Sequence, residues 1–256
     1  LNAKHADAKH SDNVKHNLDV ARFRFPGADE RTTILGATGS GKSTCGLWML
    51  SHQRFDKRPW IAIDFKREMI FDAVGFPPIT ELALGAKIPR KPGLYLITPR
   101  PGQEDYVEAF LWRMWEAENV GLYVDEAALM PAGDAFPALL QQGRSKRIPV
   151  IACSQRPVGV ARGLFSEANY FCVYRMADKR DYRLVEGFAP ADLGRQLPPY
   201  CWHWYDVARN TLLAMRPVSP PAMVAERLGA RLPHRAAAWH PFAWTARTSG
   251  REKIKL

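Results

Sequence analysis

Between residues 34 and 50 the chain reads ILGATGSGKSTCGLWML, and inside it GATGSGKS matches the spacing G-x-x-x-x-G-K-[ST] through Gly36, Gly41, Lys42 and Ser43. The run TTIL before the match reads as a strand, and STCGLWML after it as a helix. Glycines at such a turn let successive backbone N–H groups wrap a phosphate, and the helix that follows adds the positive end of its dipole. Thr38, Gly39 and Ser40 complete the loop. Lys42 is placed to reach the outer phosphates of a nucleotide, and Ser43 to offer its hydroxyl to Mg2+, with Thr44 the weaker candidate.

A phosphate cradle hydrolyses nothing by itself, so a carboxylate is sought at the end of a neighbouring strand. VGLYVDEAAL supplies two: Asp125 is placed to hold the metal and Glu126 to orient or deprotonate the attacking water. Adjacent carboxylates at a strand end also cap helices, which is the plain alternative. A third apolar run, IPVIACSQRP, ends in Ser154, Gln155 and Arg156. Gln155 can bond the γ-phosphate or the water, and Arg144 and Arg147, just upstream, are either solvated surface or arginine fingers for a neighbouring subunit.

Short β-rich runs (TTIL, WIAIDF, GLYLIT, VGLYVD, IPVIACS, NYFCVYRM) alternate with longer segments able to carry helices. That alternation predicts an α/β fold with a mainly parallel central sheet covered on both faces. The segment 102–119 is the clearest helix, because Tyr106, Phe110, Leu111, Met114 and Trp115 form one apolar stripe. YCWHWYDV and TLLAMRPV read as a C-terminal β-hairpin, with Tyr200, Trp202, Trp204 and Asp206 on one strand face. Burial between helices is favoured there over stacking on bases. Residues 75–93 read as an insertion loop, and Pro217, Pro220 and Pro221 as the end of the sheet. The organisation expected is a polar N-terminal arm (1–25), a P-loop domain (26–220) and a basic C-terminal extension (221–256).

The net charge of +10 is concentrated, with nine basic against three acidic residues in 141–183 and the same in 201–256. The remainder carries 18 against 20, so a polyanionic partner would be met by the C-terminal half. Four scattered cysteines, with no paired spacing, suggest neither a zinc site nor a disulfide framework. No run has the length of a membrane span, so no membrane insertion and a cytoplasmic location are expected.

Taken in order, GATGSGKST, IAIDFKRE (with Asp64 and Lys66), LYVDEAAL and QGRSKRIPVIACSQRP resemble the FtsK-HerA superfamily of pumping ATPases. The likeness extends as a pattern of strand ends over residues 31–218, and the last stretch discriminates most. Ser154 stands where that family commonly has threonine. The resemblance implies a RecA-like ASCE P-loop NTPase core with ATP and Mg2+ as cofactors. It also implies a homo-oligomeric ring, a hexamer with a pentamer as the alternative. Carried over, Glu126 activates water, Gln155 is the sensor, Asp125 and Ser43 serve the metal, and Arg144 is the first choice for the trans finger. With no further module in view, the chain looks most like the viral genome-packaging ATPases. These move double-stranded DNA into a capsid at a portal vertex, which for this chain implies the host cytoplasm. The alternatives are a secretion or virion-assembly ATPase moving protein or single-stranded DNA, and a small-molecule P-loop kinase. The kinase has no use for Glu126.

Overall fold

The computed structural model describes residues 23–75, 85–194 and 196–232. Each apolar run read from the sequence forms a strand: β1 (Arg31–Leu35), β2 (Pro59–Asp64), β3 (Gly93–Ile97), β4 (Gly121–Asp125), β5 (Val150–Ser154) and β6 (Tyr170–Val173). These six run parallel, and the hairpin β7 (Trp202–Asp206) and β8 (Thr211–Met215) extends the sheet antiparallel. The strand order is β3-β2-β4-β5-β1-β6-β7-β8. The cradle-bearing β1 therefore lies between β5 and β6, near the centre of the sheet. Because the six strands share one direction, the loops that leave them gather at one edge.

Successive strand residues point to opposite faces. Leu35, Ile61, Ile63, Leu122, Val124, Val150 and Ala152 enter one buried cluster, which α3 (Glu104–Ala117), α4 (Ala135–Gln142), α5 (Gly163–Ser166) and α6 (Lys179–Glu186) cover. Their neighbours Ile34, Trp60, Ala62, Tyr123, Ile151 and Cys153 enter a second cluster, under α1 (Lys42–Ser51), α2 (Met69–Val74) and α7 (Pro221–Arg231). The stripe of α3 packs as its spacing predicts, with Val107, Phe110, Leu111 and Met114 buried and Tyr106 and Trp115 half-buried beside them. On the other face Gly46 lets α1 press onto the sheet: a Cβ there would stand 2.5 Å from Cys153 Sγ. The helix that carries the cradle is thus fixed against β5.

Two segments differ from the sequence reading. The prolines that end the sheet also open a helix, because Pro221 sits at its first turn, where a missing N–H costs nothing. Val224 and Leu228, four apart, are fully buried, so the packed unit continues past residue 220 to Arg231. Tyr200 does not join the strand face of Trp202 and Trp204. Both tryptophans are buried, whereas Tyr200 precedes the strand in a turn at φ 61° and is 59% exposed. At the other end Phe23 and Phe25 pack against Trp48 of α1. The polar arm 1–22, residues 76–84 of the insertion loop and the tail 233–256 lie outside the described residues.

Candidate active site

The loop after β1 is tied down on both sides. Gly36 N–H donates to the Ser154 carbonyl at the end of β5 (3.3 Å), and Ala37 N–H to the Arg175 carbonyl just past β6 (2.9 Å). Gly39 and Gly41 take φ of 74° and 98°, a region that side chains with a Cβ rarely adopt. Gly41 caps α1 without any side-chain hydrogen bond, and the first turn of the helix carries no acidic residue. No carboxylate of the turn competes for its free amides, and Lys42 is buried beside them.

Asp125 ends β4 with no exposure. One of its oxygens accepts from the Tyr123 hydroxyl (3.4 Å), and Oδ2 has no hydrogen-bond partner. Burial, followed by the nearby Glu68 charge, pushes the carboxyl up from 3.8 to about 6, against the opposing effects of Lys66, the Ser43 hydroxyl and Lys42. A buried, unpartnered carboxylate oxygen beside a serine hydroxyl is a donor set of the kind that a hard divalent cation takes. Asp125 and Ser43 therefore fit magnesium.

Glu126 follows at φ 71°, ψ 76°, a left-handed conformation that costs a residue with a Cβ about 1 kcal/mol. Three groups hold its nearly buried carboxylate. Oε1 accepts from the Ser154 hydroxyl (3.1 Å) and from Gln155 N–H (3.0 Å), and Oε2 accepts from Lys66 Nζ. The ends of β2, β4 and β5 thus meet on one side chain. Lys66 is aimed by Asp64, which pairs in register with Asp125 and accepts from the backbone N–H groups of Lys66 (3.0 Å) and Glu68 (2.7 Å). Burial raises the Asp64 carboxyl as well. Gln155 turns its side-chain oxygen to the Thr38 hydroxyl (3.1 Å), which links the third strand end to the cradle.

The structure gathers Gly36 to Thr44, Asp125, Glu126 and Gln155 at one edge of the sheet. Arg144 is elsewhere. It follows α4 and is three-quarters exposed, with its Nε 3.9 Å from Asp29, two residues before β1. That is the opposite edge, a strand length of roughly 16 Å from the cradle of the same chain. Lys66 and Ser154 were visible in the sequence as strand-end residues, but their grip on Glu126 was not, because it spans 60 and 28 residues.

The buried Asp125 carries a pH signature. Its proton is held in the native state up to about pH 6, whereas the unfolded chain gives it up near 3.8. Between these values the native state binds more protons at this group, so its contribution to the stability of the metal-free protein falls as pH rises from about 4 to 7, by at most ~3 kcal/mol. Asp125→Asn is expected to flatten that slope in melting curves recorded with a chelator, leaving the contribution of Asp64, which has the same sign. An unchanged slope would place the titration elsewhere.

No protein-family model matches the chain. The DNA packaging ATPase P9 of Enterobacteria phage PRD1 is 36% identical over 208 residues, covering 77% of this chain and 90% of that protein. Among solved structures, the genome packaging NTPase B204 from Sulfolobus turreted icosahedral virus 2, in complex with ATP-gammaS, superposes with a TM-score of 0.59 at 16% identity. It covers 76% of this chain and all of that one. EssC (ATPases 2 and 3) from Geobacillus thermodenitrificans gives 0.55 at 17%, covering 79% of this chain and 43% of that one. At these identities the two structures speak to the fold alone.

Proposed function

This chain belongs to the viral DNA-packaging ATPases, and from that premise we propose that it couples ATP hydrolysis to the movement of double-stranded DNA into a capsid. The observation that carries the chemistry is the placement of Glu126. Its carboxylate is anchored at three points beside the unpartnered oxygen of Asp125 and one strand away from the cradle. In this reading the cradle amides and Lys42 bind the β- and γ-phosphates, and Gln155, held to Thr38, senses the γ-phosphate. Ser43 and Asp125 hold magnesium, which when bound neutralises charge developing on the phosphates. Glu126 takes the proton of the attacking water. Lys66, on the same carboxylate, fixes its direction and must share it at that moment. A kinase transfers to a bound acceptor and gains nothing from a carboxylate fixed on water, so the anchoring of Glu126 favours hydrolysis.

The motor part of the proposal rests on charge and on kinship. Basic residues dominate 141–183 and 201–256, a footprint suited to a phosphate backbone. We place the ring, the trans action of Arg144 and docking at a capsid vertex in the same proposal. The test is phosphate release with duplex DNA, with single-stranded DNA and with neither, in low salt. Duplex is expected to stimulate turnover severalfold, and raising salt from about 50 to 200 mM to remove the stimulation. Equal rates in all three conditions would count against DNA as cargo, and stimulation by single strands alone would reassign it.

A further inference from the structure

A cavity of about 400 Å³ opens beside the cradle on the side away from the carboxylates. Its walls come from Thr38 and Ser40 of the loop, from Arg175 after β6, and from Pro198, Pro199 and Tyr200 before β7. Its position follows from the strand order. β1 has β5 on one flank and β6 on the other, and the catalytic carboxylates lie beyond β5. A triphosphate whose γ-phosphate points toward Glu126 and Gln155 must send its nucleoside the other way, over β6. The cavity lies on that path and is of a size that houses small ligands.

Tyr200 makes the cavity specific. Cys201 N–H donates to the Pro198 carbonyl (3.1 Å), closing a four-residue turn with Tyr200 at its third position, at φ 61°. Glycine or asparagine usually occupies such a position, because a Cβ is strained there. Here an aromatic ring stands in it, more than half exposed, and passes 3.4 Å from where a Cβ on Gly41 would be. The next residue but one, Trp202, is fully buried, so the turn is mounted on a rigid strand. A strained ring, more than half exposed and overhanging the last glycine of a phosphate cradle, is no part of the buried core. It offers a flat face to a flat ligand.

We infer that this cavity is the nucleoside pocket, with the base lying on the Tyr200 ring between the proline pair and the Arg175 guanidinium. The inference rests on the reading above that the cradle holds a triphosphate. The described lining contains no carboxylate, and of amide side chains only the exposed Gln196. Recognition is therefore through the faces of the base by stacking, and its edge goes largely unread. ATP and GTP should bind within about fivefold of each other, with the phosphates supplying most of the selectivity.

The experiment uses the full chain and compares equilibrium binding of ATP, GTP and inorganic tripolyphosphate. Tyr200→Ala is expected to weaken both nucleotides about tenfold or more and to leave tripolyphosphate within twofold, since one stacked base is worth roughly that much. Tyr200→Phe restores nucleotide affinity. Tyr200→Gly separates binding from folding: it relieves the backbone strain and raises the melting temperature, yet loses nucleotide affinity as Tyr200→Ala does. The inference is overturned if Tyr200→Ala binds ATP as the native protein does, or if it loses tripolyphosphate in parallel with ATP. A preference for ATP over GTP beyond a hundredfold would also overturn it, by requiring an edge reader. Lys42→Ala marks the other failure. If the native protein binds none of the three and Lys42→Ala changes nothing, the cradle reading itself falls, and the pocket with it.

Discussion

Glu126→Gln is expected to bind ATP with nearly native affinity and to turn it over about 10²–10⁴ times more slowly, the range that a positioned general base contributes. The amide keeps the size of the carboxylate, and its oxygen can still accept from the Ser154 hydroxyl and Gln155 N–H. It cannot take a proton from water, and it turns an NH2 group or an uncharged oxygen toward Lys66 where a carboxylate stood. In the proposed reading nucleotide affinity is set elsewhere, by the cradle amides, Lys42 and the inferred nucleoside pocket, so binding and turnover should separate. Equilibrium binding and steady-state phosphate release, measured on the same preparation, decide the matter. A Glu126→Gln protein that hydrolyses within tenfold of the native rate would remove Glu126 from the chemistry. A protein that loses binding and turnover together would make the residue structural. The αL backbone at this position is common to both side chains and leaves the comparison clean.

The cradle and the acidic pair were legible because their signals are local. Eight consecutive residues define the phosphate loop, and an apolar run followed by Asp125 and Glu126 defines the strand end. The α/β class was legible for the same reason, since each strand is a short apolar run. The order of the strands was not. Placing β1 between β5 and β6 depends on how crossovers pack, and no neighbouring residue reports it. That order alone decides on which side of the cradle the carboxylates lie and on which side the proposed nucleoside pocket is found. Long-range contacts were equally silent: Lys66 reaches Glu126 across 60 residues of chain. One local signal pointed the wrong way and another was incomplete, each for a physical reason. Alternation in YCWHWYDV put Tyr200 on a strand face, although the proline pair before it forces a turn. The prolines at 217, 220 and 221 read as the end of the sheet, which does stop at Met215, but not as the start of a helix, although proline suits a first helical turn and the apolar pair Val224 and Leu228 four apart supplies a reason to form one.

Arg144→Ala should abolish turnover nearly as completely as Glu126→Gln, by about 10³-fold or more if it is the finger that reaches a neighbour's γ-phosphate. Its placement suits that task and no other in the site. Arg144 stands at the opposite edge of the sheet from the cradle of its own chain, and its side chain's one ion pair among the described residues, the 3.9 Å approach of Asp29, is an exposed pair worth little and released at little cost. A head-to-tail ring brings one surface of each subunit against a different surface of the next, so a residue far from its own site can complete another. The decisive measurement mixes two inactive proteins. In a random ring of equal parts Arg144→Ala and Glu126→Gln, roughly a quarter of the interfaces join an intact Glu126 to an intact Arg144, and that fraction of the native rate should return. Native-like turnover by Arg144→Ala alone would assign the finger to another arginine. Failure of the mixture to recover, with both variants assembled, would mean that Arg144 acts within its own subunit or only supports the fold near Asp29. Recovery would establish in one experiment that hydrolysis is shared between subunits and that the carboxylate and the guanidinium come from different chains.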